Sequence, residues 1–150
     1  MRRPPVQVRS VLVTGCSSGI GRATAERLRT RGWRVLATAR AEDDLAGLRA
    51  EGFETLELDL AEEASVLACA RETLELCAHG LGGVVNNAGY AQAGAVEDLD
   101  GAALRHQLEV NVIGLQVLTN RLIPTLRAQG WGRIVNVSSV YGRVVSPLVG

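Results

Sequence analysis

The sequence predicts an α/β fold, a doubly wound parallel sheet with strand order 3-2-1-4-5, and three observations point to it. Five short apolar runs alternate with four stretches of helical spacing. Each connection is long enough for the crossover that joins parallel strands. A glycine-rich turn directly follows the first apolar run, at the strand end where open α/β sheets bind their ligands.

Ser10-Val11-Leu12-Val13-Thr14 is an apolar run stopped by Gly15, which reads as a buried first strand. Helical spacing then runs from Ile20 to Thr30 and stops at Gly32. Trp33 to Thr38 is expected as the second strand and Ala41 to Ala50 as the second helix. Glu42, Asp43 and Asp44 open that helix, where acids suit the positive end of its dipole. Phe53 to Leu58 is the third strand, ended by Asp59. A helix from about Ala61 to Ala78 follows, with Val66, Leu67, Ala70, Leu74 and Cys77 on one face, until Gly80, Gly82 and Gly83 break it. Leu81 to Val85 is the fourth strand, terminated by Asn86-Asn87-Ala88-Gly89. One long helix, Gly101 to Ala128, is expected next, with Leu104, Leu108, Val112, Leu115, Leu118 and Leu122 assigned to the core. Gly130-Trp131-Gly132 closes it, and Arg133 to Ser138 is the fifth strand. Residues 1–9 read as a loose arm and residues 10–150 as one nucleotide-binding domain.

At 150 residues the chain has the length of a single domain with a core of ordinary size. Sixteen basic residues balance sixteen acidic ones, which argues against a nucleic-acid arm or a polybasic membrane patch. With 47% hydrophobic and 3% aromatic residues, the core is aliphatic. No apolar run approaches the roughly 20 residues that span a bilayer, and the basic opening Met1-Arg2-Arg3-Pro4-Pro5 lacks the apolar stretch of a secretory signal. All sixteen basic residues are arginine; the chain contains no lysine. Cys69 and Cys77 lie eight apart in a helical stretch, roughly 12 Å along the axis, too far for a disulfide. A reduced, cytoplasmic protein is expected, with Cys16 a small filler residue rather than a reactive thiol. His79 and His106 have no ligand-spaced partners, so no metal site is expected.

Thr14-Gly15-Cys16-Ser17-Ser18-Gly19-Ile20-Gly21 lies between the first strand and the first helix. A glycine turn there lets the backbone approach a pyrophosphate, and the helix N-terminus offers free N–H groups and a positive dipole. Ser17 and Ser18 add hydroxyl donors. The GxxxGxG spacing is one residue longer than the common GxGxxG fingerprint. The cofactor's second ribose is read about 20 residues further on, where an acid suits a 2′-OH and a cation a 2′-phosphate. The second strand ends Ala37-Thr38-Ala39-Arg40, so Arg40 favours NADP(H), with NAD(H) as the alternative. Asp59, followed by Leu60, could accept from the adenine amino group or equally cap the following helix.

Thr14-Gly15-x-x-x-Gly19-x-Gly21, Asn86-Asn87-Ala88-Gly89, Asn111 and Ile134-Val135-Asn136-Val137-Ser138-Ser139 occur in order, and together they resemble the short-chain dehydrogenase/reductase family. The resemblance runs from residue 10 to the end and implies a Rossmann-type fold. Gly15-Cys16-Ser17-Ser18-Gly19 and Asn87-Ala88-Gly89-Tyr90 look like the hydroxysteroid and retinol dehydrogenase branch. It implies that Gly15, Ser17, Ser18, Gly19, Ile20, Gly21, Asn87, Ala88 and Gly89 neighbour the cofactor. It further implies that Asn111 distorts the long helix and holds a water in a proton relay. Ser139 would hydrogen-bond the substrate oxygen, with Ser138 the competing choice. A helix polar role for Asn111 and a strand-end cap for Ser139 are the structural alternatives.

The resemblance also places a tyrosine near position 152 and a lysine four residues beyond it, past Gly150. Tyr90 and Tyr141 do not stand at that spacing from Ser139, and neither has a lysine four residues on. The chemistry needs such a pair, because a tyrosine near its ordinary pKa of about 10 is a poor acid–base group at neutral pH until a nearby ammonium lowers it. The chain is therefore expected to be the N-terminal part of a longer reductase, cut before a sixth strand. If it ended at Gly150, weak or no turnover and poor solubility would follow from its exposed sheet edge. The leading expectation is an NADP(H)-dependent oxidoreductase interconverting a carbonyl and an alcohol on a small-molecule substrate, forming a symmetric oligomer by resemblance. The alternative is a catalytically incompetent dinucleotide-binding fragment or a regulatory NADPH-binding module. A kinase-type phosphate binder is disfavoured, since no Gly-Lys-Ser/Thr follows the glycine turn.

Overall fold

A computed structural model describes residues 8–144; most of the expected N-terminal arm, and residues 145–150 of the expected domain, lie outside the described residues. The strands are β1 (Ser10–Val13), β2 (Arg34–Ala39), β3 (Glu54–Glu57), β4 (Gly83–Asn86) and β5 (Arg133–Asn136). All pair in parallel in the order β3-β2-β1-β4-β5, as the alternation and connection lengths imply. Helices α1 (Gly19–Thr30), α2 (Glu42–Ala50) and α3 (Glu63–Leu76) fill the first three crossovers.

The sheet is buried on both faces near its centre, so every residue of β1 is buried, and three of its four positions are apolar rather than alternating. Successive β1 side chains point to opposite faces. Leu12 packs with Leu36, Val66, Leu118 and Leu122 on one side. Val11 and Val13 pack with Ala25, Leu45 and Leu48 on the other. Two helix layers thus clamp one strand. The outer strand β3 is pinned to β2 by Arg34, whose Nε and Nη2 donate to the two carboxylate oxygens of Glu54 at 2.7 and 2.6 Å.

The expected single helix Gly101–Ala128 is not continuous. It divides into α4 (Gly101–Leu108), a π-helical segment (Glu109–Gly114) and α5 (Leu115–Ala128). Asp100 caps α4, its Oδ1 accepting from Ala102 and Ala103 N–H at 3.0 and 2.8 Å. The wider π turn displaces one half of the helix against the other, and Asn111 sits inside it. The core assignment is corrected with it. Leu118 and Leu122 are fully buried, Leu115 is half-buried, and Leu104, Leu108 and Val112 are 45–56% exposed. No helix among the described residues is long and apolar enough to cross a membrane.

Candidate functional site

The glycine turn is shaped by contacts that leave no room for a side chain. Gly15 has φ +71°, a left-handed conformation, and a Cβ on it would lie 2.9 Å from the Ala88 Cα. A Cβ on Gly21 would overlap the Gly15 carbonyl oxygen, so the first turn of α1 folds directly onto the loop. Cys16 N–H donates to the Thr38 carbonyl at 2.7 Å and Gly15 N–H to Thr38 Oγ1 at 3.3 Å, which fastens the turn to β2. The Cys16 thiol points inward to the Val13 carbonyl at 3.2 Å and is fully buried. Burial pushes its pKa up to about 11, which fits a filler residue.

Thr14 joins the turn to the end of β4. Its Oγ1 accepts from both Asn87 N–H and Ala88 N–H, each at 2.9 Å. Asn87 returns the contact, its Nδ2 donating to the carbonyls of Thr14 and Gly15 at 2.9 and 3.1 Å. The sequence places Thr14 at the strand end and at the head of the glycine motif without a role for its side chain; a hydroxyl directly before the glycine turn is the signal for this clasp. The N-terminus of α1 stays available. Ser18, at the N-cap, makes no side-chain cap hydrogen bond, and the first turn carries no acid. That is the chemistry of an anion site: free N–H groups at a positive helix end, beside exposed Ser17 and Ser18.

Around this turn lies a groove of about 820 Å³. Gly15, Ser17, Ser18, Gly19 and Ile20 form its floor, Arg40, Asp59 and Leu60 one end, and Asn87, Ala88 and Gly89 its other wall. Gly21 lies buried beneath. Ala41, Asp44, Tyr90, His106 and Val110 also line it, and sequence reasoning did not single them out for it. Asp59 does not cap α3, whose N-cap is Glu62. It closes the preceding turn instead: Oδ1 accepts from Ala61 N–H at 2.9 Å, and Asp59 N–H donates to Ser65 Oγ at 2.9 Å.

A second cavity, about 680 Å³, adjoins the first and shares Ile20, Asn87, Ala88, Gly89 and Tyr90 with it. Asn111, Ser138, Ser139 and Tyr141 line it. Asn111 grips the Tyr90 backbone, Oδ1 accepting from Tyr90 N–H at 3.0 Å and Nδ2 donating to the Tyr90 carbonyl at 2.8 Å. Ser139 is the N-cap of a short 3₁₀ turn (Val140–Gly142), its Oγ accepting from Tyr141 N–H at 3.2 Å. Among the described residues its hydroxyl proton has no acceptor. Deeper in, Asn86 Nδ2 donates to Thr119 Oγ1 at 3.0 Å and to Asn136 Oδ1 at 2.8 Å, tying β4 to α5 and β5. Among the described residues no group of three His, Cys, Asp or Glu could hold a metal ion.

An open glycine turn at the first crossover, continuous with a polar cavity at the ends of β4 and β5, is the arrangement of a Rossmann-type dinucleotide-binding fold. The short chain dehydrogenase family model matches residues 9–150, and the chain belongs to that family. It is 39% identical over 142 residues to "Uncharacterized oxidoreductase YbbO" of Escherichia coli (strain K12), covering 95% of this chain and 53% of that protein. It is 41% identical to Retinol dehydrogenase 16 of Homo sapiens, over 89% of this chain and 44% of that one. The solved structure of F189W actinorhodin polyketide ketoreductase with NADPH superposes with a TM-score of 0.84 at 29% identity, covering 98% of this chain and 59% of that one. The chain thus spans about half the length of the relatives it matches.

Proposed function

We propose that the whole protein is an NADP(H)-dependent oxidoreductase that interconverts a carbonyl and an alcohol on a small molecule. The observation that carries this reading is the cradle itself. Gly15 and Gly21 exclude side chains from the loop, the α1 N-terminus is uncapped by any side chain, and Arg40 stands at the far end of the same groove. These residues fit a dinucleotide. Ser17, Ser18, Gly19 and Ile20 would receive the pyrophosphate, Asp59 and Leu60 the adenine, and Asn87, Ala88 and Gly89 the wall beside the nicotinamide ribose. A dinucleotide bound there supplies the hydride acceptor or donor.

Arg40 is exposed and forms no ion pair among the described residues, which leaves its guanidinium available to a 2′-phosphate. Ser139 donates its hydroxyl proton to the substrate oxygen and polarises it. Asn111 holds Tyr90 and the loop that separates the two cavities. With both polar atoms of its side chain engaged, a relay water falls to its remaining N–H, its spare lone pair or its main chain. No residue of this chain matches the Tyr-x-x-x-Lys pair the resemblance implies, so turnover is assigned to the whole protein. The exposed apolar row Leu104, Leu108, Val112 and Ile113 supports self-association of that protein.

The test is Arg40→Glu in the full-length protein, titrated with NADPH and NADH by nucleotide fluorescence. NADPH affinity should fall at least tenfold more than NADH affinity, since a charge-assisted phosphate contact worth about 1.5–3 kcal/mol becomes a repulsion. Equal losses for both dinucleotides would remove the NADP(H) assignment and leave the family-level reading standing.

A further inference from the structure

Three acids follow Arg40 in sequence, and only one of them lines the groove. Glu42 is turned away, its carboxylate taken by Arg49 two turns along α2. Asp43 does not line the groove, whereas Asp44 does, at the same end as Arg40 and Ala41. Helix periodicity explains the selection. Leu45 and Leu48 are buried against the sheet, and Asp44 lies one turn before Leu48 on the same face. It therefore faces the carboxyl ends of β2 and β3, where the groove opens. Asp44 and Arg40 form no ion pair with each other. Among the described residues, one anion and one cation thus stand without an ion-pair partner at the place where a ribose would be read. The other charged group at this end, Asp59, has one carboxylate oxygen engaged with Ala61 N–H.

We infer that Asp44 is a second specificity-determining residue, acting against Arg40: its carboxylate accepts from a ribose hydroxyl and repels a 2′-phosphate, so the preference for NADP(H) that Arg40 sets is reduced. This rests on the dinucleotide reading above and deepens it. A cation alone at this position would give a site committed to the phosphorylated ribose. A carboxylate alone would give one committed to the free diol. With both present, the phosphate gains the guanidinium contact and loses part of it to the neighbouring carboxylate. Both groups are exposed, so the opposing effect is that of a solvated charge pair, about fivefold in affinity rather than several orders of magnitude.

The experiment compares 2′,5′-ADP with 5′-ADP as probes, two adenosine fragments that differ at the 2′ position and need no turnover. Each is titrated calorimetrically into the full-length protein and into its Asp44→Asn and Asp43→Asn variants at low salt, with folding checked by circular dichroism. Asp44→Asn should raise the preference for 2′,5′-ADP over 5′-ADP about fivefold, with the gain shrinking as salt screens the pair. Asp43→Asn removes the same charge from the same helical turn outside the groove and should leave the preference within twofold of the parent. An unchanged preference in Asp44→Asn, or equal shifts in both variants, would overturn the inference while leaving the dinucleotide reading intact. Failure of the parent protein to bind either fragment would overturn both.

Discussion

Asn111 holds Tyr90 by both ends of its amide, accepting from the Tyr90 N–H at 3.0 Å and donating to the Tyr90 carbonyl at 2.8 Å. The helix gives up α-helical regularity at the same place, because a π turn at Glu109–Gly114 brings the Asn111 side chain to the loop after β4. That loop carries Asn87, Ala88 and Gly89, so a helix irregularity on one element sets the wall of a groove built by others.

Asn111→Ala should therefore cost stability and binding together. Two half-buried hydrogen bonds are lost, about 2 kcal/mol in urea denaturation, and dinucleotide affinity falls because the loop is no longer held. Asn111→Asp keeps the acceptor for Tyr90 N–H but loses the donor to its carbonyl, and should fall between the two. A variant with unchanged stability would show that the clasp does not order the loop.

Thr14→Val tests the join between the glycine turn and β4. The substitution preserves shape and removes the oxygen that accepts from Asn87 and Ala88 N–H, leaving two partly buried donors unpaired. The expected loss is about 2–4 kcal/mol, and Thr14→Ser should recover most of it. A loss in Thr14→Val no larger than that in Thr14→Ser would show that the hydroxyl is not what holds the join.

Gly21→Ala should abolish binding before it abolishes folding. The new methyl overlaps the Gly15 carbonyl oxygen, so the loop must move off the helix N-terminus. Overpacking of this kind costs about 1–3 kcal/mol, and removal of the cradle should lower dinucleotide affinity more than tenfold. Gly47→Ala, on α2 with open space around it, is the matching control and should bind as the parent does.

Cys16 and Cys69 should be inert in the folded protein. Both are buried, and burial raises their pKa values from 9.0 to about 11 and about 12. At pH 8 the Cys16 thiolate is about one part in a thousand, so mass-mapped alkylation should modify neither until denaturant is added. The sign for stability follows from the raised values. The neutral thiols contribute fully below pH 9 and lose that contribution as pH rises through 9 towards 11, because the unfolded chain ionises first. Rapid labelling of native Cys16 at pH 8 would contradict the filler role.

Ser139→Ala in the full-length protein should lower kcat by about 10²–10³, the size expected when a donor to a developing oxyanion is lost. Dinucleotide affinity should stay unchanged, because the side chain lines the second cavity and not the phosphate groove. Ser138→Ala should have the smaller effect. A larger loss from Ser138→Ala would transfer the role to its neighbour.

Most of the sheet was legible because its signals are local. Apolar runs, glycine stops and the turn after β1 each identify their element within a few residues, and the strand order follows from crossover lengths. The π break at Asn111 was not legible from periodicity, because the apolar spacing from Leu104 to Leu122 runs on without interruption. The side chain inside the break is held by Tyr90, a loop residue 21 positions away. The groove-lining role of Asp44 was hidden for a related reason. Glu42, Asp43 and Asp44 suit a helix start equally well, and only the rotation set by Leu45 and Leu48 turns one of them inward. Asp59 showed the limit of reading by residue type, since its carboxylate serves neither as a helix cap nor solely as a free acceptor, but closes the turn at Ala61.

The central claim is that the loop from Gly15 to Gly21 holds a pyrophosphate at the start of α1. Isothermal titration of the full-length protein with NADPH, beside its Gly21→Ala variant, tests it most directly. Saturable heat at one site per chain, lost in the variant while its circular dichroism spectrum is retained, is the predicted result. A folded parent protein that gives no heat with NADPH or with NADH would contradict the account.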